Sequence, residues 1–340
     1  MQGGFMAQQR VTITDVARAA GVSAATASVV INNKEKYVAP QLRQQVLEAV
    51  ERLNYQPNLV ARSLKVQETR TIGLVLTNIT SPVTPASVRL VQRHARQQGF
   101  DTFLAVSEED LSLEKNIVET MLAKRVDGLI LCPADSGAVE HLQYAASLIP
   151  VVAIERPVPG TCSVVTNNFE ISYQAALHLL AHGRRRIGVI HMPLQGSNTR
   201  QRIEGYRQAL RENGSLDETL FFETDYVGSS AFDFACHLAA VQQVDAILAT
   251  SQSITMGAVK ACNQLGVRVP RQLAIFGYDN VPWMELTSPT ISTTQQPIEQ
   301  IAQRACEILF AALASEPAAP RVEVLPSQLV LRASCGCDSS

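Results

Sequence analysis

The sequence predicts a small all-α unit at the N-terminus followed by a much larger α/β unit of parallel sheets. Three observations predict this. Residues 12–32, TITDVARAAGVSAATASVVIN, read as two short helices on either side of a tight turn. From residue 69 onward, apolar strands alternate with amphipathic helices, the pattern that builds parallel sheets covered by helices. Charge is also split: residues 1–68 carry net +3 and the remainder net −5, within an overall −2.

The first helix opens on Thr12 with Asp15 three residues on, a capping-box pattern. Ile13, Val16, Ala17 and Ala20 follow at helical spacing. Gly21 stands where a helix ends in a left-handed residue, and Val22 can plug a small core. Ser23 caps a second helix, Ala24–Ile31, that breaks at Asn32-Asn33. A third starts at Pro40, with Leu42, Val46, Val50 and Leu53 as its apolar stripe and Asn54 as a left-handed stop. Three helices in about 45 residues can be a plain bundle, but the Gly-Val-Ser turn at this spacing favours a helix-turn-helix that lays its second helix in a DNA major groove. The positive end of the chain then lies where phosphates would be.

In the larger unit the expected strands are Thr71–Thr77, Asp101–Val106, Gly128–Cys132, Val151–Ile154, Arg186–His191, Ala246–Ala249 and Leu273–Gly277. Helices such as Ser87–Gln98, Glu114–Lys124, Ser172–His182 and Thr199–Asn213 fill the gaps. Ligands in such sheets bind beyond the carboxyl ends of the strands, and two such subdomains facing each other form a hinged cleft. No GxGxxG, Walker A loop or GxSxG occurs, and no nucleophile–base constellation is visible, so no enzyme, catalytic residue or cofactor is expected. No secretory signal and no run of 18 apolar residues is found, so a cytoplasmic chain with no membrane partner is expected. Seven scattered cysteines argue against a disulfide framework. Cys335-Gly-Cys337 lacks the spacer of common zinc and redox motifs, the histidines are read as forming no metal-spaced pair, and no metal site is expected.

Residues 12–32 resemble the DNA-binding head of the LacI/GalR repressor family. NYQPNLVARSL (54–64) resembles the family's hinge, GVRVPRQLAIFGYDN (266–280) with Pro289 and TTQQP (293–297) its late core signature, and LVLRAS (329–334) its closing strand. The resemblance spans about residues 11–334. It implies a helix-turn-helix domain at 11–56, a hinge helix at 57–68, and a periplasmic-binding-protein-like effector core at 69–334. The core's N-subdomain would comprise about 69–167 and 297–326, and its C-subdomain about 168–296 and 327–334. Three chain crossings between them would allow closure around a ligand.

The resemblance also implies residue roles. Ala24, Ala25 and Val29 occupy the base-reading positions, where the family often has polar residues and an arginine or histidine. Alanine and valine can only touch thymine methyls or exclude neighbours, so shape and half-site spacing should carry more of the specificity. Thr12, Ser23, Thr26 and Ser28 are candidates for phosphate contacts. In the hinge, beginning at Pro57, Asn58, Ala61 and Leu64 would meet DNA, with Leu64 the minor-groove wedge; a plain linker is the alternative.

In the core, Arg202 of Arg-x-x-Gly205 and Asp279 of GYDN match the family's effector-holding pair; a surface ion pair and a turn are their alternatives. Tyr226 and Trp283 are candidate flat walls, and Asn198 and Gln296 weaker candidates. The chain has Ser81-Pro82-Val83-Thr84 where the family often has Asn-Pro-Phe-Phe, Ser251-Gln252 where it has Asn-Asp, and Asn167 where it often has aspartate. With one carboxylate and one arginine left, a sugar acid or sugar phosphate is favoured over a neutral sugar. The implied protein is a homodimer, with Asp135–Ser147 among its interface candidates, that represses a carbohydrate operon and leaves a palindromic operator when the effector binds. Activation instead of repression, a corepressor and a protein partner stay open.

Overall fold

A computed structural model describes residues 11–32, 37–55, 68–79, 83–314 and 319–337. Pro57, Asn58, Ala61 and Leu64 of the hinge, with Asn33, Ser81 and Pro82, lie outside the described residues. Contacts divide the chain into Met1–Thr69 and Arg70–Ser340.

The first unit holds α1 (Ile13–Ala19), α2 (Ala24–Ile31) and α3 (Pro40–Arg52). Both caps form. The Thr12 amide donates to the Asp15 carboxylate at 2.9 Å and the Asp15 amide to Thr12 Oγ1 at 3.4 Å; the Thr26 amide donates to Ser23 Oγ at 3.0 Å. Gly21 is left-handed at φ +65°, and Asn54 ends the unit's last turn at φ +46°. The core is Val16, Ala17, Ala20, Ala27, Val30, Val46 and Ala49, while Leu42 in the first turn of α3 is exposed. Four of these seven are alanines, so each buried residue stabilises less than in a leucine-rich core, and the two caps, at about 1 kcal/mol each, add to it.

The second unit contains two parallel sheets. The larger has β1 (Thr71–Leu76), β2 (Asp101–Val106), β3 (Gly128–Leu131), β4 (Val151–Ile154), β5 (Cys162–Thr166) and β11 (Val322–Leu325), in the order β11-β5-β4-β3-β1-β2. The smaller has β6 (Ile187–His191), β7 (Phe221–Glu223), β8 (Ala246–Ala249) and β9 (Ala274–Phe276), in the order β7-β6-β8-β9. Helices α4 (Val83–Gln97), α5 (Leu111–Ala123), α6 (Glu140–Leu148) and α11 (Ile298–Ala314) belong to the larger sheet; α7 (Asn168–Ala181), α8 (Ser197–Glu212), α9 (Ala231–Cys236) and α10 (Gln252–Leu265) to the smaller. Both faces of each sheet are covered, which is why β3, β4, β6 and β8 are buried along their whole length.

The chain passes between the two layered halves after β5, between β10 (Thr293–Gln295) and α11, and between β11 and β12 (Gln328–Val330). The last two strands pair antiparallel. The crossings are tied to one another: the Ser327 amide donates to Asn167 Oδ1 at 2.7 Å, and Thr166 Oγ1 to Gln296 Oε1 at 3.4 Å. Asn167 therefore braces the crossings and does not line the cleft described below.

Gly205 sets the approach of α7 to α8. A Cβ there would run into the Phe169 carbonyl oxygen and lie 2.9 Å from the Tyr173 amide nitrogen, both backbone atoms that cannot swing away. Gly205→Ala is expected to cost about 3 kcal/mol, the upper end for overpacking, and to lower the melting temperature by roughly 6–12 °C. Thermal denaturation of the purified variant checks this.

The reading that no two histidines are metal-spaced is corrected. His178 and His182 are four residues apart at the end of α7, so they share a helix face. The chain terminus brings Cys335 and Cys337 onto them: His178 Nε2 lies 3.2 Å from Cys335 Sγ, and His182 Nε2 3.5 Å from Cys337 Sγ. The spacing of the histidines was present in the sequence; their meeting with the distant cysteines required the fold.

Candidate functional site

Nearly every cleft residue of the second unit follows the carboxyl end of a strand. Thr77 and Asn78 follow β1, Glu109 follows β2, Cys132 follows β3, and Glu155 and Arg156 follow β4. From the smaller sheet come Met192 after β6, Ser251, Gln252 and Ser253 after β8, and Asp279 after β9, with Asn198 and Arg202 on α8. This is the placement that parallel sheets dictate for ligand sites. Glu109, Glu155 and Asp279 all take left-handed backbone, at φ +60°, +64° and +64°. Such conformations cost of order 1 kcal/mol or more for non-glycine residues and cluster at ligand sites.

Arg202 is buried and held from three sides. Nε donates to Asn168 Oδ1 at 2.8 Å and Nη1 to the Thr250 carbonyl at 2.9 Å; the guanidinium carbon stands 3.7 Å from the centre of the Tyr278 ring. The Tyr278 hydroxyl donates to the same Asn168 oxygen at 3.1 Å. Among the described residues Nη2 has no protein acceptor, which leaves it for a ligand. Asp279 accepts from Gln296 Nε2 at 2.7 Å. Burial pushes its carboxyl above the usual range, against the pull of Arg202 and Gln296.

Asn198 and Tyr226 also line the cleft. Asn198 Oδ1 accepts from the Thr199 amide and from Arg156 Nε. Burial, then the charge of Glu109, raises the Tyr226 hydroxyl to about 12, so it is a neutral donor and acceptor. Trp283 is corrected: it is absent from the lining and packs its half-buried ring on the core between the smaller sheet, α9 and α10. Asn198, Arg202, Tyr226, Asp279 and Gln296 are brought together.

The sequence reading missed Arg156, Glu109 and Glu155. Arg156 is buried, clasps Glu109 with two bonds of 2.7 and 3.1 Å, and donates to the carbonyls of Pro133 and Ala134 at 2.7 and 2.9 Å. Its Nε reaches Asn198 Oδ1 at 3.2 Å, joining the two halves across the cleft. Burial opposes its charge, but the Glu109 carboxylate clasped against it outweighs burial and holds it more firmly protonated than usual. The carboxylate of Glu155 accepts no hydrogen bond among the described residues and faces the cleft. Burial raises it, Arg202 lowers it and Asp279 raises it again, with the net shift upward. A signal for these residues existed: Glu155-Arg156 interrupts an apolar strand at its carboxyl end.

The cleft thus holds three carboxylates and two arginines, correcting the expectation of one of each. Because Arg156 neutralises Glu109, a ligand meets Arg202 beside Glu155 and Asp279. Cys132, pushed up to about 12 by burial, is a neutral thiol there.

In the first unit, Ser23, Ala24 and Ala25 are exposed at the start of α2, with Thr26, Ser28 and Val29 half-buried. Ser23 Oγ and Thr26 Oγ1 lie 2.8 Å apart, and Ser28 Oγ accepts from Asn32 Nδ2 at 3.2 Å. The exposed start of α2 is a smooth, small-residue surface that offers methyl groups.

Residues 12–58 match the family described as bacterial regulatory proteins, lacI family, and residues 176–335 match a periplasmic binding protein-like domain. The chain is 34% identical over 328 residues to the HTH-type transcriptional repressor PurR of Mannheimia succiniciproducens, covering 95% of this chain and 98% of that one. The chain belongs to the LacI family. It is a transcriptional regulator of that family. PurR of Aliivibrio salmonicida is 33% identical, with the same shares covered. Among solved structures, the lac repressor dimer bound to operator and the anti-inducer ONPF superposes with TM-score 0.86 at 25% identity, over 96% of this chain and 99% of that one. The CelR–cellobiose complex gives 0.72 at 28% identity, over 96% and 100%. Among the described residues, no helix is long and apolar enough to cross a membrane.

Proposed function

We propose that the chain is a homodimeric repressor of carbohydrate-use genes that leaves its palindromic operator when a neutral, hydroxyl-rich molecule occupies the cleft. The observation that carries this reading is the lining. It is rich in hydroxyl, amide and carboxylate groups, with Tyr226 its sole aromatic among the described residues. Paired acceptors such as Glu155 and Asp279 beside the donor fork of Arg202 suit vicinal hydroxyls. An anionic sugar would meet two carboxylates for one available arginine, so the neutral sugar replaces the sugar acid as the favoured effector. A purine is the second reading, suggested by the PurR relatives; it would stack on one aromatic wall only.

On this reading the head sets Ala24, Ala25 and Val29 against base edges, Thr12, Ser23, Thr26 and Ser28 near phosphates, and the hinge with Asn58, Ala61 and Leu64 in the minor groove. The ligand shifts a two-state balance by its differential affinity for the released state.

The test begins with an operator selected from random palindromic duplexes, read by fluorescence anisotropy, and a thermal-shift panel of neutral sugars, sugar acids, sugar phosphates and purines. A neutral sugar that raises the midpoint and releases the duplex supports the reading. A purine as the active ligand overturns it in favour of the second.

Acidification gives a further expected result. Carboxylates accept hydroxyls best when ionised, so ligand affinity should fall at a pH above the ordinary carboxylate range, where Glu155 and Asp279 take up protons. The ligand-free core should move the other way. A carboxyl raised by folding contributes stability that is present below its unfolded pKa and lost as pH rises through the folded one. Calorimetric titration and melting across mild acid check both signs, and Glu155→Gln should flatten both profiles.

A further inference from the structure

We propose that His178, Cys335 and Cys337, with His182 beside them, form a binding site for a thiophilic divalent metal ion, with zinc the best match. The site stands apart from the cleft and does not depend on the effector reading. His178 Nε2, Cys335 Sγ and Cys337 Sγ all lie within 4.8 Å of one another. The two sulfurs are 3.4 Å apart, and His178 Nε2 is 3.2 Å from one and 3.4 Å from the other. His182 Nε2 lies 3.5 Å from Cys337 Sγ but outside this mutually close set, so it would have to swing inward to become a fourth ligand. Around a tetrahedral zinc, bonds of about 2.3 Å to sulfur and about 2.05 Å to nitrogen put sulfurs roughly 3.8 Å apart and sulfur and nitrogen roughly 3.5 Å apart. The three edges among His178, Cys335 and Cys337 match these within about 0.4 Å. Two thiolates and an imidazole, with a second imidazole within reach, are a borderline-soft donor set that selects zinc over magnesium or calcium.

The surroundings orient the donors. His182 Nδ1 donates to the His178 carbonyl at 2.9 Å, which leaves the Nε2 lone pair turned toward the sulfurs. Ser292 Oγ donates to Cys335 Sγ at 3.0 Å. Outer hydrogen bonds of this kind fix ligands in metal sites. Gly336 lets the chain double back between the two cysteines at φ +106°, and an added Cβ would stand 3.4 Å from His182 Cδ2. Buried Cys335 and half-buried Cys337 leave an approach on the side of exposed His182. Binding forms two metal–sulfur bonds and releases the two thiol protons, while the imidazoles enter neutral. The ion would clamp the segment after β12 onto α7, the helix whose first residue, Asn168, holds Arg202.

The test uses the full-length protein, reduced and stripped with chelator. It is titrated with cobalt(II), read by the thiolate-to-cobalt charge-transfer band and the visible ligand-field bands. Zinc(II) is then competed against a chromophoric chelator. One ion per chain is expected, with a tetrahedral cobalt spectrum. Cys337→Ser should weaken binding by more than about 100-fold and His182→Ala by about 10-fold, with unchanged circular dichroism. Cys236→Ser, at the other half-buried cysteine, should change nothing. Zinc should raise the melting midpoint of the wild type and not of Cys337→Ser. Should Cys337→Ser fail to fold, His178→Gln still provides the test. The proposal is overturned if the fully reduced wild type gives no charge-transfer band, or if the band is unchanged in His182→Ala and His178→Gln. A Cys335–Cys337 disulfide that reductant does not open overturns it equally.

Discussion

Replacing Arg156 with alanine is expected to destabilise the core by about 3–5 kcal/mol, the cost of breaking a buried ion pair by removing one partner, with a melting temperature lower by roughly 10 °C. The side chains of Arg156 and Glu109 are 5% and 7% exposed, so neither charge is solvated by water. Removing the cation leaves Glu109 desolvated and unpaired in left-handed backbone, and strips the donor from the carbonyls of Pro133 and Ala134. It also cuts the bond to Asn198, which joins the β4 end to α8 across the cleft. Removing both charges should cost less than removing one. Arg156→Met combined with Glu109→Leu is therefore expected to recover much of the loss, because no buried charge is then left unpaired. Urea and thermal unfolding of the two single variants and the double variant give the coupling. If Arg156→Ala costs less than about 1 kcal/mol, the pair behaves as a solvated surface bridge and the argument fails.

The same residue shows where the sequence stopped being informative. Caps and turns are local, so Thr12 with Asp15, Ser23, Gly21 and Asn54 were readable from a few neighbouring letters. The central strands were readable because both faces are buried, which leaves unbroken apolar runs at β3, β4, β6 and β8. Short strands were harder. β5, CSVVT, and β7, FFE, carry too few residues to show a period, and β11 lies at a sheet edge with alternating exposure. Arg202 and Asp279 were reachable through the family resemblance, while Glu109 and Arg156, 47 residues apart, become partners only when β2 and β4 take their places in the sheet. Trp283 illustrates the opposite error. A lone tryptophan reads as a sugar-facing wall, yet its ring had apolar core to cover. The cysteine–histidine cluster was divided for the same reason as the cleft: Cys335 and His178 are 157 residues apart.

Arg202→Ala is expected to yield a repressor that still binds operator and no longer responds to ligand. Affinity for the effector should fall roughly 10- to 150-fold, the equivalent of losing about 1.5–3 kcal/mol of charge-assisted hydrogen bonding. The loss is larger than for a surface arginine because this guanidinium is preorganised. Asn168, Thr250 and the Tyr278 face hold it where it lines the cleft, so a ligand need not order it. Its removal also takes away the cation that acts on both Glu155 and Asp279. Arg202 lowers the pKa of both, so in the variant both carboxyls rise further and the acid-induced loss of affinity begins at higher pH. Lysine should not rescue the site: an ammonium keeps the charge but loses the planar fork that satisfies Asn168 and the Thr250 carbonyl while stacking on Tyr278. Calorimetric titration of the active sugar against wild type, Arg202→Ala and Arg202→Lys, alongside operator release by anisotropy, separates the outcomes. An Arg202→Ala protein that releases operator at the wild-type ligand concentration would remove Arg202 from the binding site. It would leave the buried arginine as a strut between α8 and the ends of β8 and α7.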